Sequence, residues 1–191
     1  MIKSEILLIN FLDFFISLTL IVLLFPLIIF IYLLILTLEG TPVVFISSRV
    51  GKQNIKFNLY KFRTMKIKNK LTEKDKITKI GKYLRRLSFD ELPQLFNVLK
   101  GEMSMVGPRP VPSKNKEFNK FLNFNRYVVK PGLTGLSQIN YYGKKRSWKE
   151  KLKHDEIFIK NYSLSLYLLI LLKTPKTLLL RFIHNKSAKT L

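Results

Sequence analysis

From Ile6 to Leu38 the chain is apolar almost without interruption, the exceptions being Asn10, Asp13, Ser17, Thr19, Pro26 and Thr37. The uncharged stretch from Phe14 to Leu38 exceeds the ~20 residues a helix needs to cross a bilayer. It is too long for the apolar core of a cleaved signal peptide and ends in no small-residue cleavage site. Residues 1–39 are therefore predicted to anchor the protein in a membrane. Two geometries compete. A simple spanning helix is one, and on residue chemistry alone it is favoured, because proline kinks occur in ordinary spanning helices. The other starts from Pro26, which lacks an N–H and clashes with the carbonyl four residues back. A break there would turn the helix back and leave both its ends on one face, with Asp13 at the headgroup level, since a carboxylate deep in hydrocarbon is costly.

After the anchor the pattern shortens and mixes, as expected of a catalytic-size body over residues 40–191. Val43 to Phe45 and Ile55 to Met65 read as strands of a hairpin turning at Gly51-Lys52-Gln53-Asn54. Lys66 to Lys79 is a charged connection. Helices are predicted at Ile80 to Leu87 and Phe89 to Leu99, the second closed by Gly101. Pro108, Pro110 and Pro112 mark an irregular loop, and Pro131-Gly132 with Gly135 a second one. Glu117 to Tyr127 fits a helix with Phe118, Phe121, Leu122 and Phe124 toward its apolar side. Ser147 to Asn161 and Leu164 to Ile183 are helical, the latter broken near Pro175. Basic residues beside a Leu-rich face place that last helix either in the membrane interface or in the protein's own core. The fold class is α+β, mainly helical with a small hairpin.

Charge changes the picture. Lys and Arg total 34 against 12 Asp and Glu, a formal net charge of +22, yet 47% of residues are hydrophobic. A disordered basic tail would be poor in apolar residues. A greasy anchor beside a basic body points to lipid headgroups, phosphorylated substrates or nucleic acid. Dense positive charge after Arg49 places the body on the cytoplasmic face. There is no cysteine, which excludes disulfides and thiolate catalysis. His154 and His184 lie far apart, without partners at metal-ligand spacing, and are expected at the surface.

Chemistry concentrates at Ser88-Phe89-Asp90-Glu91-Leu92-Pro93. The bland explanation is a capping box, with Ser88 and Glu91 three residues apart opening a helix. The surroundings argue for more. Arg85-Arg86 can meet phosphate oxygens as bidentate donors. The run Glu102-Met103-Ser104-Met105-Val106-Gly107-Pro108-Arg109-Pro110 supplies another arginine in a stiff loop, and Pro131-Gly132-Leu133-Thr134-Gly135 a turn where backbone N–H groups can approach a ligand. Carboxylates for a divalent ion, arginines for phosphates and Gly-Pro loops are the parts of a phosphoryl-transfer site.

These stretches, with Lys61-Phe62-Arg63-Thr64-Met65 and Gln138-Ile139-Asn140, resemble the bacterial sugar transferases, the small monotopic polyprenyl-phosphate phosphoglycosyl transferases. The similarity runs from Asp13 to about Thr174. The resemblance implies transfer of a sugar-1-phosphate from a UDP-sugar to polyprenyl (undecaprenyl) phosphate, releasing UMP, at the bacterial cytoplasmic (inner) membrane. Asp90 would be the nucleophile, Glu91 the Mg2+ ligand, and Arg85, Arg109, Arg63 and Lys61 the phosphate-binding residues. Thr134, Gln138 and either Lys144 or Arg146 would meet the nucleotide-sugar. It also implies a re-entrant membrane helix broken at Pro26, and it leaves self-association and contact with other glycan-assembly enzymes open. Departures from the family pattern are Phe25 for Ser before the membrane proline, Ser47 for Gln, Tyr167 for Asp, and Tyr141 to Arg146 where Gly-Arg is usual after Asn140. A membrane-tethered nucleic-acid binder would also be basic and aromatic, but it has no use for the Asp90-Glu91 pair, and no nucleic-acid partner is expected. A non-catalytic membrane scaffold is the other alternative.

Overall fold

The apolar run forms one helix, α1 (Lys3–Glu39), in the computed structural model, which describes residues 3–67, 76–112, 124–140 and 147–187. The helix continues through Pro26, so the break expected there is not a gap in its helical path. A proline removes a single N–H from the ladder, and a long helix fastened on both sides of it tolerates that loss. Its buried positions recur every three to four residues, at Ile9, Asp13, Ser17, Ile21, Ile31 and Ile35, which is one face of a helix. Toward the amino terminus that face joins Leu95, Met103, Tyr167 and Ile170 in one apolar cluster; beyond Pro26 it joins Val43, Phe62 and Leu84 in a second. The other face stays apolar and exposed, with Val22, Leu23, Phe25 and Phe30 among its residues.

Polar groups fasten α1 at two points. Asp13 is buried, and its Oδ1 accepts from the Met105 N–H at 2.8 Å, the Tyr167 hydroxyl at 2.7 Å and the Ser104 hydroxyl at 3.0 Å. At the other end Arg63 donates to the carbonyls of Glu39, Gly40 and Thr41 at 2.6, 2.7 and 3.0 Å. The last carbonyls of a helix have no partner within it and carry partial negative charge, so a guanidinium suits them.

Strands β1 (Val44–Val50) and β2 (Lys56–Phe62) form the predicted antiparallel hairpin, in register from Val44 opposite Phe62 to Val50 opposite Lys56. β1 runs five residues past the carboxyl end that the sequence pattern indicated, and a 3-10 turn at Lys52–Asn54 closes the hairpin. Thr78 caps α2 (Lys79–Leu87) by accepting from the Gly81 N–H. The predicted helix from Phe89 to Leu99 divides into a 3-10 turn at Phe89–Glu91 and α3 (Gln94–Leu99), with Gly101 in the left-handed region after it. Asn97 on α3 ties this layer to the hairpin edge, accepting from the Tyr60 N–H at 3.1 Å and donating to the Asn58 carbonyl at 2.7 Å.

The two Gly-Pro loops enclose a second sheet. β3 (Ser104–Val106) pairs in parallel with a strand at Gly132–Thr134, while β4 (Val111–Pro112) joins the far edge of β1; the Gly132–Thr134 strand is β5. Gly132 is obligatory there, because a Cβ on it would sit 2.0 Å from the Gly107 backbone nitrogen. Residues 117–123 of the predicted helix from Glu117 lie outside the described residues, and Phe124–Val128 is a 3-10 turn. After α4 (Leu136–Ile139), α5 (Trp148–Lys160) opens on a capping box between Ser147 and Glu150. α6 (Leu164–Ser187) runs through Pro175 without the expected break, and its buried Tyr167 and Ile170 pack in the first cluster while Leu172, Leu179 and Ile183 stay exposed. Of the histidines, His154 is half-buried with Nδ1 2.8 Å from the Glu150 carbonyl; the side chain of His184 lies outside the described residues.

Replacing Asp13 by Ala strands two hydroxyls and a backbone N–H away from water and is expected to cost about 2–5 kcal/mol. Tyr167→Phe removes one of the same three bonds and should cost only about 1 kcal/mol. Thermal melts of both variants in nanodiscs check the ranking; equal losses would mean that Asp13 is not the hub of this contact.

Candidate functional site

Asp90 and Glu91 owe their position to Ser88. That residue ends α2 in the left-handed region, φ 59°, and its side chain makes no capping bond. The capping-box explanation of Ser88 and Glu91 is thereby set aside: the chain reverses at Ser88, and the Glu91 carboxylate turns to cations of other elements. A non-glycine residue held in this conformation costs on the order of 1 kcal/mol or more. Adjacent residues of a 3-10 turn point about 120° apart, so the two carboxylates enter different surroundings.

Glu91 Oε1 accepts from Lys61 Nζ of β2 at 2.7 Å and from Arg109 Nη2 of the loop after β3. Burial pushes its carboxyl up, but Arg109 and Lys61 together outweigh that and hold it at about 2. Asp90 is buried, and its carboxyl is shifted the other way, raised by burial and then by the Glu91 charge, against the pull of Lys61, Arg85 and Arg109. Arg85 is steered by a bond from Nε to the Thr64 hydroxyl at 2.7 Å. Two neighbouring carboxylates are thus driven apart in acidity, the pattern by which acid–base and nucleophilic roles are divided in active sites.

Of the residues singled out from sequence, Asp90, Glu91, Lys61, Arg85 and Arg109 come together. Arg63 does not join them; its guanidinium is turned to the end of α1. Thr134 Oγ1 lies 2.9 Å from Thr174 Oγ1 of α6, and Gln138 Nε2 donates to the Leu133 carbonyl at 3.1 Å while its buried Oε1 has no partner among the described residues. Gly132 to Thr134 pair along one edge with β3. Lys144 and Arg146 lie outside the described residues.

Three residues near this site were not singled out. Arg49 of β1 feels both Arg109 and Glu91, and its Nη1 donates to the Pro110 carbonyl at 3.3 Å. Arg126 donates to the Arg109 carbonyl and pairs with Asp155 at 3.0 Å. A basic residue two before the hairpin glycine was a usable signal for Arg49; Asp155, in the charged run of an amphipathic helix, gave none.

A family model described as "Bacterial sugar transferase" matches residues 4–181. The chain belongs to this family. It is 40% identical over 153 residues to the UDP-N-acetylgalactosamine-undecaprenyl-phosphate N-acetylgalactosaminephosphotransferase of Aeromonas hydrophila, covering 74% of this chain and 36% of that protein. It is 42% identical over 146 residues to the uncharacterized sugar transferase EpsL of Bacillus subtilis, covering 73% of this chain and 71% of that one. With the UDP-glucose:undecaprenyl-phosphate glucose-1-phosphate transferase of Klebsiella pneumoniae it shares 36% identity over 176 residues, 85% of this chain and 38% of that protein. The matched region therefore spans little more than a third of the first and last of these relatives.

Within this sugar transferase, no three His, Cys, Asp or Glu side chains gather among the described residues. The carboxylates of Asp90 and Glu91 are the hard donors at the site. One or two carboxylates, with substrate phosphates and water completing the shell, is the way Mg2+ is ordinarily held, so the donor set fits that ion.

The depressed acidity of Glu91 has a pH signature. Its contribution to stability is complete above its ordinary value of 4.5 and fades as pH falls toward about 2. Glu91→Gln is expected to lower the melting temperature equally at pH 7 and pH 5, with the gap from the unsubstituted protein closing only below pH 4.5. Melts across that range check it.

Proposed function

We propose that this protein transfers a sugar-1-phosphate from a UDP-sugar to polyprenyl phosphate, forming a polyprenyl-diphosphate-sugar and UMP. The observation that carries the reading is the divided carboxylate pair, Asp90 buried and raised beside Glu91 pinned by Lys61 and Arg109, in a family whose named relatives are undecaprenyl-phosphate sugar-phosphate transferases.

The Asp90 carboxylate attacks the β-phosphorus of the donor. A P–O bond forms to the carboxylate, and the bond from the β-phosphorus to the bridging oxygen breaks, with that oxygen leaving on UMP. In the second half an oxygen of polyprenyl phosphate attacks the same phosphorus and the carboxylate leaves, regenerating Asp90. A carboxylate is a weak nucleophile, but its acyl phosphate is reactive enough to hand the group on. Arg109, Lys61 and Arg85 offer guanidinium and ammonium donors to the phosphate oxygens. Mg2+, held by Glu91 with Asp90 beside it, would supply charge neutralisation of the diphosphate.

The acceptor's phosphate lies at a membrane surface, and the chain is read as sitting there from one side. α1 is fastened to one body on both sides of Pro26, through Asp13 and, at its carboxyl end, through Arg63, whereas the stretch from Asp13 to Glu39, if straight, would reach about 39 Å. This supports re-entrant insertion of the exposed apolar face around Pro26, with the body on the cytoplasmic side where basic residues accumulate.

The deciding experiment is UMP release by nanodisc-held protein with Mg2+, polyprenyl phosphate and a panel of UDP-sugars. Release is expected with at least one sugar, and Asp90→Asn should reduce it by about a thousandfold or more. Appearance of UDP in place of UMP would mean ordinary glycosyl transfer and would sink the covalent mechanism.

A further inference from the structure

The loop that carries Arg109 is held by backbone at its ends and by guanidinium groups in its middle. At its start the Gly107 N–H donates to the Thr134 carbonyl, and the Pro108 carbonyl accepts from the Gly132 N–H, both at 2.9 Å. At its end Val111 and Pro112 pair with Val50 and Arg49 of β1. Between these points the Pro110 carbonyl accepts from Arg49 Nη1, and the Arg109 carbonyl accepts from Arg126 Nη2. The same Nη2 of Arg126 lies 3.0 Å from Asp155 Oδ2 on α5, and the two side chains are only 8% and 7% exposed.

A buried ion pair is weak evidence for stability, since desolvation consumes much of the attraction. What distinguishes this one is where its second bond goes. The nitrogen that meets Asp155 also meets the backbone of the residue whose own guanidinium grips Glu91. A buried guanidinium aimed at a neutral carbonyl needs a counter-charge to stay there, and Asp155 supplies it on the same nitrogen.

We propose that Asp155 is a positioning residue which, acting through Arg126, fixes the Arg109 peptide and so sets where the Arg109 guanidinium meets Glu91 and the donor phosphates. The kinetic side of this inference rests on the sugar-phosphate transfer reading; the geometric side does not. Asp155 bonds to neither carboxylate of the site but to Arg126, so its effect on the chemistry is indirect.

A double-mutant cycle tests it, with Asp155→Asn, Arg109→Met and the pair compared with the unsubstituted protein in nanodiscs. Asp155→Asn is expected to lower kcat/KM for UMP release about tenfold when Arg109 is present, and by less than about twofold when it is not. A purely structural ion pair would cost the same in both backgrounds, and that result overturns the proposal. The same four proteins are melted without substrate. The melting shift caused by Arg109→Met should shrink to half or less once Asp155 is Asn. If the unsubstituted protein releases no UMP from any UDP-sugar, the transfer reading fails by itself, and the melting cycle then decides this inference, with additive shifts overturning it. Should Asp155→Asn not fold, Arg126→Lys, which keeps the charge but loses the fork, takes its place in both cycles.

Discussion

Glu91 is where three separate pieces of chain meet on one oxygen atom. Its own 3-10 turn, the hairpin strand through Lys61 and the Gly-Pro loop through Arg109 converge there. A mostly buried carboxylate facing two cations is costly to assemble and costlier to leave half-assembled, so once formed it fixes all three segments relative to one another. Its neighbour inherits the consequence. With the nearby cations already committed to Glu91, Asp90 keeps a buried carboxyl whose acidity is weakened by desolvation and by the adjacent negative charge. Adjacent acids that look interchangeable in sequence are made unlike by where a tight turn points them.

The legible parts of the fold are those written in local signals. The apolar periods of α2, α5 and α6, the turn residues between β1 and β2, and the glycine after α3 all specify conformation within a few residues. The parallel pair β3–β5 was hidden because each strand has three residues and its partner lies beyond a proline-rich loop, so no alternation could develop. Pro175 was read as a break from proline's local cost and Pro26 only through the family resemblance, and the long-range packing that keeps α1 and α6 continuous cannot be read from either proline. Ser88 misled in the opposite sense: its spacing to Glu91 fits a capping box, but a left-handed φ puts the side chain elsewhere.

For the candidate site the division is similar. Asp90, Glu91, Lys61, Arg85 and Arg109 were legible because phosphoryl chemistry calls for carboxylates and fixed cations, and few stretches of this chain combine them. Arg63 carries the right chemistry in the right stretch but serves the carbonyls at the end of α1. Residue type states what a side chain can bind and not which of several partners it reaches. Asp13 shows the same limit over distance, since Tyr167, one of its partners, is 154 positions along the chain.

Lys61 and Arg63 are separated by one residue, and that spacing joins the site to α1. Positions two apart in extended chain share a face; here one holds Glu91 and the other the last carbonyls of α1. Between them Phe62 packs with Ile31 and Ile35 of α1 in the second apolar cluster. Three consecutive residues where β2 ends thus grip, in turn, Glu91, the buried face of α1 and that helix's carboxyl end. With so little chain between them, α1 cannot shift in depth without moving Lys61, and through it Glu91. The transfer proposed above, to a phosphate carried on a lipid, would require the carboxylates to stand at a fixed height above a bilayer, and this short linkage to α1 is what would fix it.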